Sequence, residues 1–306
     1  MSTKSPRAAD LAALDAKINE FLPPRYQHCY GDVSPESMGS ASLKYGPDGK
    51  IAWDSIWTTF CDLALAGGPP HRGKLLEPPL RADVEADPAR RAEVAEELDR
   101  AIGLTSGMVV VEGAAPEWVG VPCESVAAAA WLQFAVTAEN VSARRRGSVL
   151  QLPAGPAFRP EKEIKNVVVA LAKSIHYWDG HLSDAQQRLV AEAEWEPATP
   201  TEAAQAPDAY EAAALAVEEA LRAAGGAIAP RRYVGWAGVE TSGEDEAVWL
   251  LRAVLVEQVL VRREDSILYF PVVAAPSADD PAGRVGRVFG RAKALWDALA
   301  SNPRRR

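Results

Sequence analysis

The stretch WLQFAVTAENVSARRRGSVLQLP, residues 131–153, is echoed by WLLRAVLVEQVLVRREDSILYFP, residues 249–271. The two lie 118 positions apart, and extending that offset without a gap pairs 118–179 with 236–297 at 19 identities in 62 positions. The identities include Gly120/Gly238, Leu132/Leu250, Glu139/Glu257, Arg144/Arg262, Arg145/Arg263 and Pro153/Pro271. Tryptophan carries the most weight: Trp118/Trp236, Trp131/Trp249 and Trp178/Trp296 align in a chain with only nine tryptophans. The pattern predicts an internal duplication, which has to be recognised before a fold is assigned.

Each copy reads coarsely as α-β-α-β-β-α. A helix near 89–102 or 209–223 leads into a short strand, EWVGV or RYVGWAGV. The first copy has an additional strand, MVVVE, joined by GAAP. A helix follows over 125–140 or 244–258, where Ala247, Leu250, Leu251 and Val254 recur at i, i+3, i+4 and i+7. Two β-branched runs flank RRRGS or RREDS and predict a hairpin. A last helix covers 161–178 or 281–299. The expected fold class is α+β with antiparallel layers. Two copies of one half-buried unit are expected to pack as a pseudo-twofold dimer within the chain, as the subunits of a homodimer do.

Outside the repeats, Leu11, Leu14, Ile18 and Leu22 keep helical spacing up to Pro23-Pro24, which predicts a docking N-terminal helix. SASLKYGPDGKIAWDSIW predicts a β-hairpin turned by Pro47-Asp48-Gly49, and SIWTTFCDLALA a short helix ended by Gly67-Gly68. EPATPTEAAQAPDA, between the copies, reads as a linker. The expected organisation is an N-terminal region over 1–80, a first repeat over 89–182, a helix and linker over 183–208, and a second repeat over 209–300.

Composition narrows the function classes. The chain has 306 residues, 48% of them apolar, and carries a net charge of −9 from 33 basic and 42 acidic residues. That balance disfavours nucleic-acid binding, which needs a basic face to displace counterions. No apolar run approaches the length of a membrane-spanning helix, so no membrane partner is expected. The three cysteines, at 29, 61 and 123, form no disulfide framework and point to a reducing cytoplasm.

All four histidines (28, 71, 176 and 181) and all three cysteines lie in the first 181 residues. At aligned positions Cys123 faces Thr241, Asn166 faces Arg284 and His176 faces Ala294. The first copy is thus the more polar, which is expected if it lines a site. The candidate ligand-binding residues are His28, His71, Arg72, Cys123, Asn166 and His176. They are expected to converge on one pocket, with a small anionic ligand or a protein as partner. His28, Cys29, His71 and His176 are the metal candidates, although no CxxC or HxxxH spacing occurs. AGGPPHRG, residues 66–73, reads as a stiff turn presenting His71 and Arg72, because Pro69 and Pro70 lack the N–H groups of a phosphate cradle. Gly283, Gly286 and Gly290 lack dinucleotide-binding spacing and predict close helix approach instead. No nucleophile-elbow or Walker motif is present, so no reaction class is assigned.

Glu139 and Glu257 end their helices, where a negative charge opposes the macrodipole, and each precedes an arginine pair. Structural ion pairs of Glu139 with Arg144 and Arg145, and of Glu257 with Arg262 and Arg263, are expected. An anion site built by the arginine pairs is the alternative.

The run WLQFAVTAENVSARRRGSVLQLPAGPAF with EIKNVVVALAKSIHYW resembles bacterial domains associated with cobalamin- and sirohaem-pathway chelatases, over residues 118–178. That resemblance implies a role near tetrapyrrole or metal metabolism, with a metal or tetrapyrrole as cofactor. It carries no catalytic residue across. The overall expectation is a ligand-binding or accessory protein, and the alternative is a pseudosymmetric interaction module without catalysis.

Overall fold

A computed structural model describes residues 6–24, 43–56, 63–276 and 278–301. The fold is α+β, with two four-stranded antiparallel sheets embedded among helices. The described residues form two compact units, one within 33–182 and 190–192, the other within 1–32, 183–189 and 193–306.

The first unit opens with a tight turn rather than a full hairpin. Its strands shrink to one antiparallel bridge, Tyr45 with Ile51, closed through Gly49 at φ +74°. Of the helix expected over 55–66, residues 57–62 lie outside the described residues; Ser55 ends a 3-10 turn, Trp53–Ser55, and Ala64–Ala66 is another. Gly67, at φ 109°, ends the latter with its N–H on the Ala64 carbonyl. Helix α2, Arg81–Ala86, leads into α3, Pro88–Ser106, which starts where the Asp87 side chain accepts the Arg90 N–H and Pro88 needs no donor.

Strands β1 (Val111–Glu112) and β2 (Trp118–Pro122) come next. Helix α4 (Val126–Ala138) is capped by Ser125, whose hydroxyl accepts the Ala128 N–H. Hairpin strands β3 (Arg144–Arg146) and β4 (Val149–Pro153) complete the sheet, in the order β1-β2-β4-β3. A π-helical turn, Pro160–Ile164, precedes α5, Lys165–His181. Helix α4 is buried along nearly its whole length, and α5 packs on both α3 and α4.

The other unit begins with α1, Pro6–Phe21, which buries Leu14, Ile18 and Leu22 as its spacing predicts. A single turn, α6 (Asp184–Gln187), ties to it through hydrogen bonds from the Gln186 side-chain amide to the Asn19 and Leu22 carbonyls. The stretch read as a linker folds instead: α7, Pro200–Gln205, is set by a capping box of Thr199 and Glu202. Helix α8 is Pro207–Ala223, followed by β5 (Ala227–Ile228), β6 (Trp236–Glu240), α9 (Glu244–Leu255), β7 (Arg262–Glu264), β8 (Ile267–Pro271) and α10 (Pro281–Ala300). The sheet order is β5-β6-β8-β7.

The same 118-residue offset runs through the backbone. Trp118 pairs with Pro153 and Trp236 with Pro271; Arg144 pairs with Gln151 and Arg262 with Tyr269. Left-handed residues fall at Gly107 and Gly225, Asn140 and Gln258, Gly147 and Asp265. The Trp131–Trp178 rings lie 5.8 Å apart at 47°, and the Trp249–Trp296 rings 5.7 Å apart at 44°. The strand MVVVE is not an addition of the first copy, because β5 answers β1. The two stretches therefore share the element order α-β-β-α-β-β-α. Close helix approach is seen at two of the three expected glycines: a Cβ on Gly286 would stand 3.0 Å from Ala220 of α8 and one on Gly290 3.2 Å from Ala224, whereas Gly283 faces the Asp280 cap of its own helix.

Candidate functional site

Helix α5 carries two polar centres, one beside its N-terminal half and one at its C-terminal end. The first is built around Glu139, the residue that ends α4. Its carboxylate accepts the Lys173 ammonium at 2.7 Å, and both side chains are 0% exposed. It also accepts the backbone N–H of Ala64 at 3.0 Å and of His71 at 2.7 Å. The Asn140 amide donates to the Arg72 carbonyl at 2.8 Å, and the Arg72 N–H donates to the Glu139 carbonyl. Glu139 thus clamps the loop 63–76 onto the end of α4. The His71 N–H of the AGGPPHRG loop, which could meet an anion, holds the chain's own carboxylate.

The ion pairs expected with the hairpin arginines are not formed. Glu139 reaches across to α5, and Glu257 reaches α10 and α1, with partners Arg291, Arg284 and Lys17. The physical reason is direction. The end of α4 or α9 faces the neighbouring helix, whereas the hairpin arginines belong to the sheet. Arg145 pairs with Glu192. Arg263 stands 3.9 Å from Glu244. Arg262, fully buried, is held by Glu264 at 2.8 Å and stacks on Tyr233, Trp236 and Tyr269 at 4.6, 4.9 and 4.1 Å. Desolvated cation–π contacts of this kind contribute about 2 kcal/mol. Held by Glu264 and stacked on three aromatic rings, Arg262 serves the core.

His71 lies inside the first centre. Its imidazole bonds Asn166 in the first turn of α5, and burial pushes its pKa down to about 4, against the pull of Glu139 and with help from Lys173 and Lys165. The ring is therefore neutral at neutral pH. The adjacent π-helical turn widens the chain just before Asn166; such turns recur at functional sites. Lys173 is not among the expected site residues.

The second centre is an open cleft of about 600 Å³ between the ends of α3 and α5. Leu104, Thr105 and Ser106 line one wall, His176, Asp179 and Gly180 another, and Asp54 stands at its edge. His176 and His181 approach each other with Nε2 atoms 3.2 Å apart. Burial, and then the neighbouring His181, lower the His176 pKa, so this imidazole too is neutral near pH 7. Burial, then Glu124, raises the Asp179 carboxyl. Glu124 itself receives the Trp178 indole N–H at 2.8 Å, which fixes this end of α5 against the start of α4.

The expected single pocket does not assemble. His71, Arg72 and Asn166 meet at the Glu139 end of α4. Cys123 sits at the other end, beyond 13 residues of helix, or about 20 Å. Its thiol contacts the Val121 carbonyl, and burial pushes its pKa up to about 11, so it is not a thiolate. His176 follows Asn166 by ten residues along α5, roughly 15 Å. His28 and Cys29 lie outside the described residues. Among the described residues, no group of three or more His, Cys, Asp or Glu side chains is placed to hold a metal ion, and no helix is long and apolar enough to cross a membrane.

No family model matches the chain, and no curated protein matches it. Among solved structures it is similar to a structure titled as SPT with a PLP internal aldimine, at TM-score 0.27 and 14% identity over 49% of this chain and 37% of the other. A serine palmitoyltransferase variant from S. paucimobilis, with a bound PLP–myriocin aldimine, gives the same figures. The chain thus spans little more than a third of the length of these neighbours, and a likeness at this level carries no argument about fold or activity.

Proposed function

We propose that this chain is a ligand-binding accessory protein whose first unit takes a small molecule in the cleft between the ends of α3 and α5. The observation that carries this reading is the cleft itself. Its volume, about 600 Å³, falls within the range of small-molecule sites, about 300–1,000 Å³. Its lining combines apolar Leu104 and Ile175 with the hydroxyls of Thr105 and Ser106, the His176 imidazole and two carboxylates. The Glu139 centre is closed by its own loop and supports the cleft wall from beneath α5. We place the protein in the cytoplasm, a reading supported by its widely spaced cysteines and free Cys123.

The link to tetrapyrroles or metals belongs to the same proposal and rests on the resemblance over 118–178. Ligand-observed NMR with small carboxylates, amines and heteroaromatics, and Soret-band titration with protoporphyrin IX, test it. Gly180 offers a clean control, since a Cβ there meets nothing within 4 Å. Gly180→Trp should fill the cleft and abolish the response while the fold persists. Binding that ignores this substitution places the ligand elsewhere.

A second reading, an interaction module, is favoured by one observation. Leu104, Val109 and Val111 are 50%, 62% and 42% exposed around the turn from α3 to β1. An apolar cluster at that corner suits a protein partner. Light scattering of the wild type and of Leu104→Glu/Val109→Glu would separate self-association from a monomeric ligand binder.

A further inference from the structure

The second copy provides an internal reference for the end of α5. It retains the helix, Trp296 and Asp297 opposite Trp178 and Asp179, but carries Ala294 and Leu299 where the first copy has His176 and His181. In the second copy Asp297 is engaged by Lys293, whose aligned residue is Ile175. One backbone frame thus bears two imidazoles in one copy and none in the other. The two rings stand 5.0 Å apart between centroids with planes at 70°, and their Nε2 atoms are 3.2 Å apart. Two imidazole nitrogens bound to one tetrahedral zinc, at about 2.0–2.1 Å each, are separated by about 3.3 Å. As a plain hydrogen bond between rings, 3.2 Å is the long limit of the usual range.

We propose that His176 and His181 together bind a divalent transition-metal ion of the imidazole-preferring kind, zinc above all, at the mouth of the α3–α5 cleft. The proposal deepens the ligand-binding reading and rests on it for its purpose, since the metal would offer the ligand a coordination position. Imidazole suits zinc, copper and nickel, whereas magnesium and calcium prefer oxygen ligands. No third protein side chain joins the pair in a set of three among the described residues, so water or ligand fills the remaining positions. A site of this kind binds more weakly than a structural zinc site, and its open positions leave the metal accessible from the cleft.

Calorimetric titration of the tag-free full chain with Zn²⁺, and with Co²⁺ followed by visible absorption, tests the proposal. One equivalent should bind, with the intense visible bands of a low-symmetry cobalt site. His176→Gln and His181→Gln should each weaken binding at least tenfold, the lower limit seen for loss of even an outer-shell partner, about 10–100-fold. Circular dichroism of each variant guards against loss of fold, and His71→Gln should leave the metal affinity unchanged. Absence of binding, or binding indifferent to both substitutions, overturns the proposal. Zinc bound at the pair in a chain whose cleft gives no organic-ligand response would retire the small-molecule reading alone. The reverse result would retire only the metal.

Discussion

Glu139 and Glu257 stand at the same place in two copies of one backbone, and each meets a cation at the same aligned position, Lys173 or Arg291. Their surroundings differ. Around Glu139 the loop 63–76 closes over the pair, supplies two backbone N–H donors and leaves both side chains 0% exposed. Around Glu257 the cover is α1, which contributes Lys17 and leaves a shallow cleft, with Arg291 59% exposed. The comparison teaches that a shared ion pair can become a structural keystone in one setting and a surface tether in another. The difference lies in what covers it and not in the pair itself.

The largest expected effect breaks the buried member. Glu139→Ala removes the carboxylate that faces the buried Lys173 ammonium and two backbone N–H donors, and removing one partner of such a pair costs about 3–5 kcal/mol. Glu257→Ala, with cations already facing solvent, should cost about 1 kcal/mol or less. Urea unfolding of both variants measures the gap, and equal losses would contradict the contrast drawn here.

Acid sharpens the same comparison, because only the first copy buries an imidazole beside its pair. His71 has a folded pKa of about 4 against an unfolded value near 6.5. Between those values the unfolded chain holds more protons, so stability rises with pH through that window and is lost as pH falls through it. The contribution is on the order of 2–3 kcal/mol at neutral pH. Unfolding free energies at pH 7 and pH 4 should converge in His71→Gln relative to wild type. An unchanged pH dependence would show that the ring titrates alike in the folded and the unfolded chain.

The aligned glycines in β2 and β6 give a smaller effect. A Cβ on Gly120 would meet Val111 Cγ2 and Val149 Cγ1, each at 2.9 Å, and the Glu112 carbonyl at 3.2 Å. On Gly238 the nearest atoms are Ala229 Cβ at 3.0 Å and Tyr269 Cε1 at 3.2 Å. Gly120→Ala should cost about 1–3 kcal/mol, in the range for overpacking, and Gly238→Ala less. Thermal melts of the two variants would rank them.

Much of this architecture is legible in the sequence because the repeat is ungapped. Paired tryptophans and glycines reveal the offset, and the strand order and register follow it. The partner of Glu139 is not legible from one copy, since Arg144 and Arg145 lie nearby in sequence while Lys173 lies a hairpin and two helical turns away. The alignment does hold the signal: position 173 is Lys and its counterpart 291 is Arg. The meeting of His71 with Asn166 has no such signal. It depends on a loop folding back onto a distant helix, which no local spacing encodes. EPATPTEAAQAPDA reads as a linker because its alanines and prolines suit an extended segment as well as the capped helix they form. The wide separation of Cys123 from His71 follows from the length of α4, which alternation and composition leave unassigned to any site.

Strand β3 ends its sheet, with β4 its neighbour among the described residues, and it consists of Arg144, Arg145 and Arg146. An edge strand presents backbone groups to any extended segment that drifts past, and charged side chains are one way natural proteins discourage that pairing. Arg146, the exposed member, leaves a charge on this edge, while Arg145 is held by Glu192. Pairing of a second extended segment here should accordingly depend on added salt, which shortens the reach of that charge. The strand whose first two arginines recur in the other stretch thus carries in its third a guard on its own edge.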